Sequence, residues 1–181
     1  RALLRFLRDL YLCILFFFSS CLENFFPVVD QVRDGDAVGA FLSFIGQSSL
    51  PVIVAFEENA IGSAWYLGQY ADACIYANDG KYGYCEESQT PSLSRNHTLM
   101  TLDKFGEGLG REILLTGHTH SGIELKHRLG ALSVQAKNQV LSTALSLANS
   151  WQKLPYEDLS QRKAKRHEAL GLEEAMPEYW K

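Results

Sequence analysis

Val52-Ile-Val-Ala-Phe56 is the segment that most narrows what this chain can become. All five residues are apolar and none alternates with a polar neighbour. A strand of that kind has no wet face, and strands buried on both sides belong to parallel sheets covered by helices. Glu57, Glu58 and Asn59 follow. Then come the small residues of Ala60-Ile61-Gly62-Ser63-Ala64, which lead into a helix over Ala64–Tyr70. A second strand is expected over Ala73–Ala77. Together these make a β-α-β unit with a right-handed crossover. Asn78-Asp79-Gly80 signals a turn, with a hairpin-like return over Lys81–Tyr84.

The corner between strand and helix bears on chemistry. A helix that starts at Ser63 or Ala64 has backbone N–H groups without intrahelical acceptors, at the positive end of its dipole. Gly62, Ser63 and Ala64 carry almost no side chain to block approach. A ligand oxygen that gains negative charge can sit there, which is oxyanion-hole geometry. Alternatively, the small residues serve only to let helix and strand pack closely. Spacing alone leaves both readings open.

The rest of the chain supplies helices for the sheet's faces. Helices are expected from His97 to about Gly106, and from Gly108 to a glycine stop at Gly117. Ser121-Gly-Ile-Glu124 fits a capping box and opens a helix that ends at Gly130. A short strand lies near Ala131–Val134. Asn138–Leu154 is a long amphipathic helix, with Val140, Leu141, Ala144, Leu145, Leu147, Ala148 and Trp151 on its apolar side. Pro155 ends it, and Leu159–Leu170 forms a last helix. The 181 residues therefore divide into an α/β core over 1–154 and a C-terminal helical segment over 155–181.

Composition excludes some classes. With a net charge of −4 the chain shows no nucleic-acid footprint. The late basic run Gln161–His167 reads as one solvated helix face. The cysteines, Cys13, Cys21, Cys74 and Cys85, form no C-x-x-C pair, so zinc and redox motifs are unsupported and a reduced, cytoplasmic setting follows. His118-Thr-His120 presents two metal-ligand side chains, but no third ligand is evident and a capped helix follows, so no metal is assigned. Glu57, Glu58 and Asn59 read as solvated loop, and Trp65 and Trp151 as core. Gly106–Gly110 has too little context for a phosphate loop.

The start of the chain is Arg1. Basic residues, an apolar run over Leu10–Phe18 and Ser19-Ser20-Cys21 mimic a secretory signal. The favoured reading is a helix over Ala2–Asp9 and a buried strand over Tyr11–Phe18, because the apolar run is far short of the roughly 20 residues a membrane span needs. No membrane association is expected. A start other than Met is read as a truncation.

These motifs resemble a known family. Pro51–Tyr84 is similar to the crotonase (enoyl-CoA hydratase/isomerase) pattern P-V-I-A-A-x-x-G-x-A-x-G-G-G, a helix, then C/A-D, a strand and x-F-G. Leu109–Pro155 is similar to the family's G-x-A-x-E-L-L-L-T-G segment and its closing helices. The "ELK-R" run of Glu124–Arg128 and the "ALSLA" run of Ala144–Ala148 resemble the decarboxylating crotonase domains of polyketide β-branching cassettes. The resemblance covers about Leu10–Leu170 and implies a β-β-α superhelix, with the usual first strands absent. It also implies a homotrimer and an acyl thioester substrate carried on coenzyme A or on a carrier protein's phosphopantetheine, with no separate cofactor. Two backbone N–H groups would hold the thioester oxygen while an enolate forms. Ser63 stands at the second of these positions, flanked by Gly62 and Ala64 as substrate-binding residues. "FSSCLE", Phe18–Glu23, matches F-S-x-G-x-D and places the first at Leu22, with Cys21 and Glu23 where Gly and Asp are usual.

The departures from the family matter as much. Tyr66 stands where hydratases carry their first carboxylate. Glu86 falls near the second, with Glu87 as close. Pro91-Ser92-Leu93-Ser94 replaces the P-G-x-G loop. One carboxylate is too few for hydration, which uses two. Decarboxylation or dehydration asks for less: an oxyanion hole and one acid, either Tyr66 or Glu86. Yet no lysine precedes Lys81, and the late K-x-H pattern reads Lys163-Ala-Lys165 with His167 shifted. Tyr66 also reads as a core tyrosine. The alternatives are a catalytically inactive binding or assembly domain, and an isomerase working with Glu86 alone.

Overall fold

The computed structural model describes residues 13–17, 48–84, 95–130 and 133–171; residues 13–17 and Ser63, Tyr66 and Leu67 are described as backbone only. The elements, in chain order, begin with β1 (Cys13–Phe17), β2 (Val52–Phe56), β3 (Ala60–Ile61) and α1 (Ser63–Gln69). Next are β4 (Ala73–Ala77), β5 (Lys81–Gly83), α2 (Arg95–Thr116) and β6 (His120–Ser121). The last are α3 (Gly122–Leu129), β7 (Ser133–Gln135), α4 (Lys137–Trp151) and α5 (Tyr156–Ala169). The helix expected over 2–9 lies outside the described residues.

β1, β2, β4 and β7 form one sheet in that order, and every pairing in it is parallel. β2 is wholly buried, as its unbroken apolar run requires. Its side chains alternate between two layers. Val52, Val54 and Phe56 join Trp65, Tyr76, Tyr82, Phe105 and Leu125 in one core. Ile53 and Ala55 join Ile75, Ala77, Val140, Ala144 and Ala148 of α4 in the other. Burying both faces of a strand is what fixes it at the centre of the sheet. On α4 the buried stripe is Val140, Ala144 and Ala148; Leu147 and Trp151 are half-buried against it, and Leu145 is exposed.

Two expectations change. The return at Lys81–Gly83 is not a hairpin on β4, because both edges of β4 are already taken by β2 and β7. After the Asn78–Gly80 turn, β5 enters a second sheet, parallel to β3 and antiparallel to β6. The buried Tyr82 hydroxyl accepts from Ala77 N–H at 2.9 Å and so ties β5 back to the end of β4. As expected, α2 is two helical segments meeting at Gly106, whose φ of 68° and ψ of 171° leave the helix. Second, the late basic run is not wholly a solvated face. Lys163 is buried, its ammonium lies 2.8 Å from Asp72, and Arg166 reaches both Asp72 and Asp103.

The start of α3 is half a capping box. Ser121 Oγ accepts from Glu124 N–H at 3.2 Å, but the Glu124 carboxylate turns to His120 Nδ1, also at 3.2 Å. Gly122 and Ile123 N–H donate to Gly80 and Asn78 carbonyls, both at 3.0 Å, which locks the turn after β4. Among the described residues, no helix is long and apolar enough to cross a membrane.

Candidate active site

The corner is built as follows. β2 ends at Phe56, and Glu57–Asn59 carry the chain to β3. Asn59 Oδ1 accepts Lys81 N–H at 2.9 Å, which sets β5 beside β3. Glu58 turns away and pairs with Lys137 of α4 at 2.5 Å. Gly62 follows with φ 65°, a value that favours glycine, and its N–H donates to Gly83 O at 3.0 Å. That bond uses the Gly62 donor. The N–H groups of Ser63, Ala64 and Trp65 come next, and none has an acceptor inside α1. No heavy atom lies within 4 Å of where a Gly62 side chain would begin, so space is open at the corner.

α1 has seven residues and is gripped by its neighbours. Gly68 rides on the Phe56 ring so closely that a Cβ there would lie 2.4 Å from it. Trp65 is fully buried and stacks on Phe105 of α2, with ring centroids 5.2 Å apart. One residue earlier on α2, Lys104 Nζ donates to the carbonyls of Gly68, Gln69 and Ala71, each at 2.7 Å. Burial lowers the Lys104 pKa from its ordinary value. The loop from α1 to β4 is then pinned by Asp72, whose Oδ2 accepts Val52 N–H at 2.8 Å.

A second group lies beyond β5. Tyr84 hydroxyl and His97 Nε2 are hydrogen-bonded, and both residues are buried. Burial pushes the His97 pKa down to about 4, with Lys104 adding to the effect, so the imidazole is neutral. The H-x-H pair does not converge. His118 is exposed, while His120 is buried against Glu124. Glu112 and Arg128 join α2 to α3 through two contacts of 2.8 and 2.7 Å. Among the described residues, no group of three metal-ligating side chains gathers.

Of the residues singled out by sequence, Gly62, Ser63 and Ala64 are together at the corner, with Tyr66 one turn into α1 as backbone. Leu22, Glu86 and Glu87 lie outside the described residues. Sequence reasoning missed Lys104, Asp72 and the Tyr84–His97 pair. Only "AD" at Ala71-Asp72, part of the family pattern, gave any signal.

A parallel sheet crossed by α1, a second sheet through β3 and β5, and closing helices agree with solved crotonases. The chain has the crotonase fold. No protein-family profile matches it. It is 29% identical over 112 residues to the bacillaene synthase decarboxylase PksI of Bacillus subtilis (strain 168), covering 61% of this chain and 44% of that protein. It is 27% identical, with TM-score 0.64, to a structure from a dehydratase/decarboxylase enzyme couple involved in polyketide β-branching, covering 72% of this chain and 60% of that one. The ECH2 decarboxylase domain of CurF from Lyngbya majuscula is 25% identical with TM-score 0.61, over 72% of this chain and 54% of that one. Among the proteins of this fold, the chain resembles the polyketide β-branching decarboxylases, and it spans less than two thirds of the length of each relative named here.

Proposed function

We propose that this crotonase-like chain acts on an acyl thioester through an oxyanion-stabilised enolate, in decarboxylation or dehydration during polyketide assembly. The observation that carries the reading is the corner. Gly62 N–H is committed to Gly83 O, which leaves the start of α1 to offer its next donor at Ser63, on the fold shared with the decarboxylases. Ser63 N–H and Leu22 N–H would hold the thioester oxygen, and Gly62 and Ala64 would flank it. In the decarboxylation of a 3-methylglutaconyl thioester, the bond to the carboxylate carbon breaks and CO2 leaves. The electron pair enters a dienolate whose oxygen sits on the two donors. A proton then returns to carbon from Tyr66 or Glu86. Preorganised donors of this kind contribute several kcal/mol because they strengthen as charge develops. The thioester is carried on coenzyme A or on a carrier protein, the reaction calls on no cofactor, and the working unit is a homotrimer in the cytoplasm.

One observation favours a second reading, a binding or assembly domain without turnover. Lys163, the lysine nearest the family's late K-x-H pattern, is buried against Asp72 and donates to Leu50 O at 3.1 Å. It is therefore committed to structure and not offered to a pocket.

An intact-mass assay with 3-methylglutaconyl thioester, on pantetheine and on carrier protein, separates the readings. Loss of CO2 in the wild type that drops in Tyr66→Phe or Glu86→Gln supports the decarboxylase and names its acid. Double-bond migration without CO2 loss, abolished in Glu86→Gln, supports an isomerase. Tight binding of a pantetheine thioester analogue without turnover supports the binding domain. Absence of both turnover and binding overturns the thioester reading.

A further inference from the structure

We propose that Lys104 is a positioning residue for the corner, holding α1 in the register that presents Ser63 N–H; this rests on the reading of the corner given above. Lys104 lies on α2, outside the β-α-β unit that builds the corner. Its ammonium has three donors, and all three go to carbonyls at the C-terminal end of α1 and the turn after it: Gly68, Gln69 and Ala71, each at 2.7 Å. Gly68 and Gln69 are among the last residues of α1, where helical carbonyls lack intrahelical partners. A cation there also complements the negative end of the helix dipole.

Sequence spacing explains why this matters for a distant donor. α1 is only seven residues long, and helices so short are marginal without tertiary support. From Ser63 to Gln69 the axial rise is about 9 Å. Over that span there is little slack: a shift at the C-terminal end reaches Ser63 as a shift of similar size. Besides Lys104, the Cys74 thiol donates to Gly68 O at 3.2 Å and Gly62 N–H at the start of α1 donates to Gly83 O; the other grips on α1 are apolar. Trp65 stacks on Phe105, and Gly68 lies flat on Phe56. Such contacts fix the distance of the helix from its neighbours better than its rotation about its own axis. Three convergent hydrogen bonds to carbonyls fix rotation. Phe105 and Lys104 are adjacent on α2, so one turn of that helix sets both.

The role differs from catalysis. Lys104 touches the backbone of α1 and acts through it. Its loss should therefore lower kcat, because oxyanion contacts strengthen in the transition state, and leave KM nearly unchanged.

The test compares wild type, Lys104→Ala and Lys104→Gln in the thioester turnover assay, each first checked by circular dichroism for retained fold. Displacing one oxyanion donor without removing it should lower kcat about tenfold in Lys104→Ala, less than the roughly 10²–10³ of outright donor loss. Propylammonium supplies the atoms that the alanine variant lacks. It should restore most of that kcat, while sodium chloride at equal ionic strength should not. Lys104→Gln, which keeps two donors, should fall between wild type and alanine, and it carries the test if the alanine variant does not fold. A folded variant with wild-type kcat overturns the proposal, as does a kcat loss that propylammonium leaves unchanged or a matching rise in KM. Absence of turnover in the wild type overturns the reading of the corner as well, so the two failures are told apart.

Discussion

Asp72→Asn is expected to be among the costliest single-atom changes in this protein. The Asp72 side chain is 11% exposed and that of Lys163 5%. Asp72 Oδ2 accepts both Val52 N–H and the Lys163 ammonium at 2.8 Å, and Oδ1 lies 3.5 Å from Arg166. The asparagine keeps the size and one acceptor but removes the charge. Lys163 then keeps its carbonyl contact to Leu50 and loses its carboxylate. Exposed pairs contribute about 0.2–1 kcal/mol. Breaking one partner of a buried pair costs about 3–5 kcal/mol, because the other charge stays desolvated. The exposures place this pair in the second class. For a chain of this size the expected loss corresponds to a Tm lower by roughly 6–20 °C. The assay is urea unfolding of wild type, Asp72→Asn, Lys163→Met and the double variant. The midpoint should fall with the m-value unchanged. The double variant should lose less than the sum of the two, by about 1–3 kcal/mol, because it leaves no orphaned charge. A cost for Asp72→Asn below about 1 kcal/mol, or full additivity, would refute the reasoning.

Three other outcomes are expected. His97 is held neutral with its pKa lowered from 6.5 to about 4, so protons bind the unfolded chain more readily. The stability it contributes is whole above about pH 6.5 and is lost as pH falls toward 4, by about 3 kcal/mol. Measured as the difference from His97→Gln, unfolding free energies at pH 7 and pH 4 should show that convergence; a difference independent of pH would contradict it. Gly62→Ala places a side chain in open space but at φ 65°, which costs about 1–2 kcal/mol from backbone conformation alone, measured by chemical unfolding. Gly122→Ala meets Ala77 O at 2.0 Å, a backbone clash that should cost about 3 kcal/mol or more and lower soluble yield.

What the sequence determined by itself is whatever short-range pattern encodes. The apolar run Val52–Phe56 required a strand buried on both faces, and it lies at the interior of a parallel sheet. Ser121 and Gly130 marked the ends of α3. The small residues Gly62, Ser63 and Ala64 marked a corner, and the resemblance of Pro51–Tyr84 to the crotonase pattern implied that fold. Tertiary structure decided the rest. β5 left β4 for a second sheet because both edges of β4 were occupied, and no local turn signal reports that. Lys163 reads as surface within its own helix, yet it contacts a carbonyl 113 residues away. Lys104 reads as one more charge before a glycine, yet its ammonium closes the end of a helix 36 residues earlier. Apolar periodicity repeats every few residues and can be read along the chain. A buried charge is placed by distant partners, and only the folded chain brings those partners near.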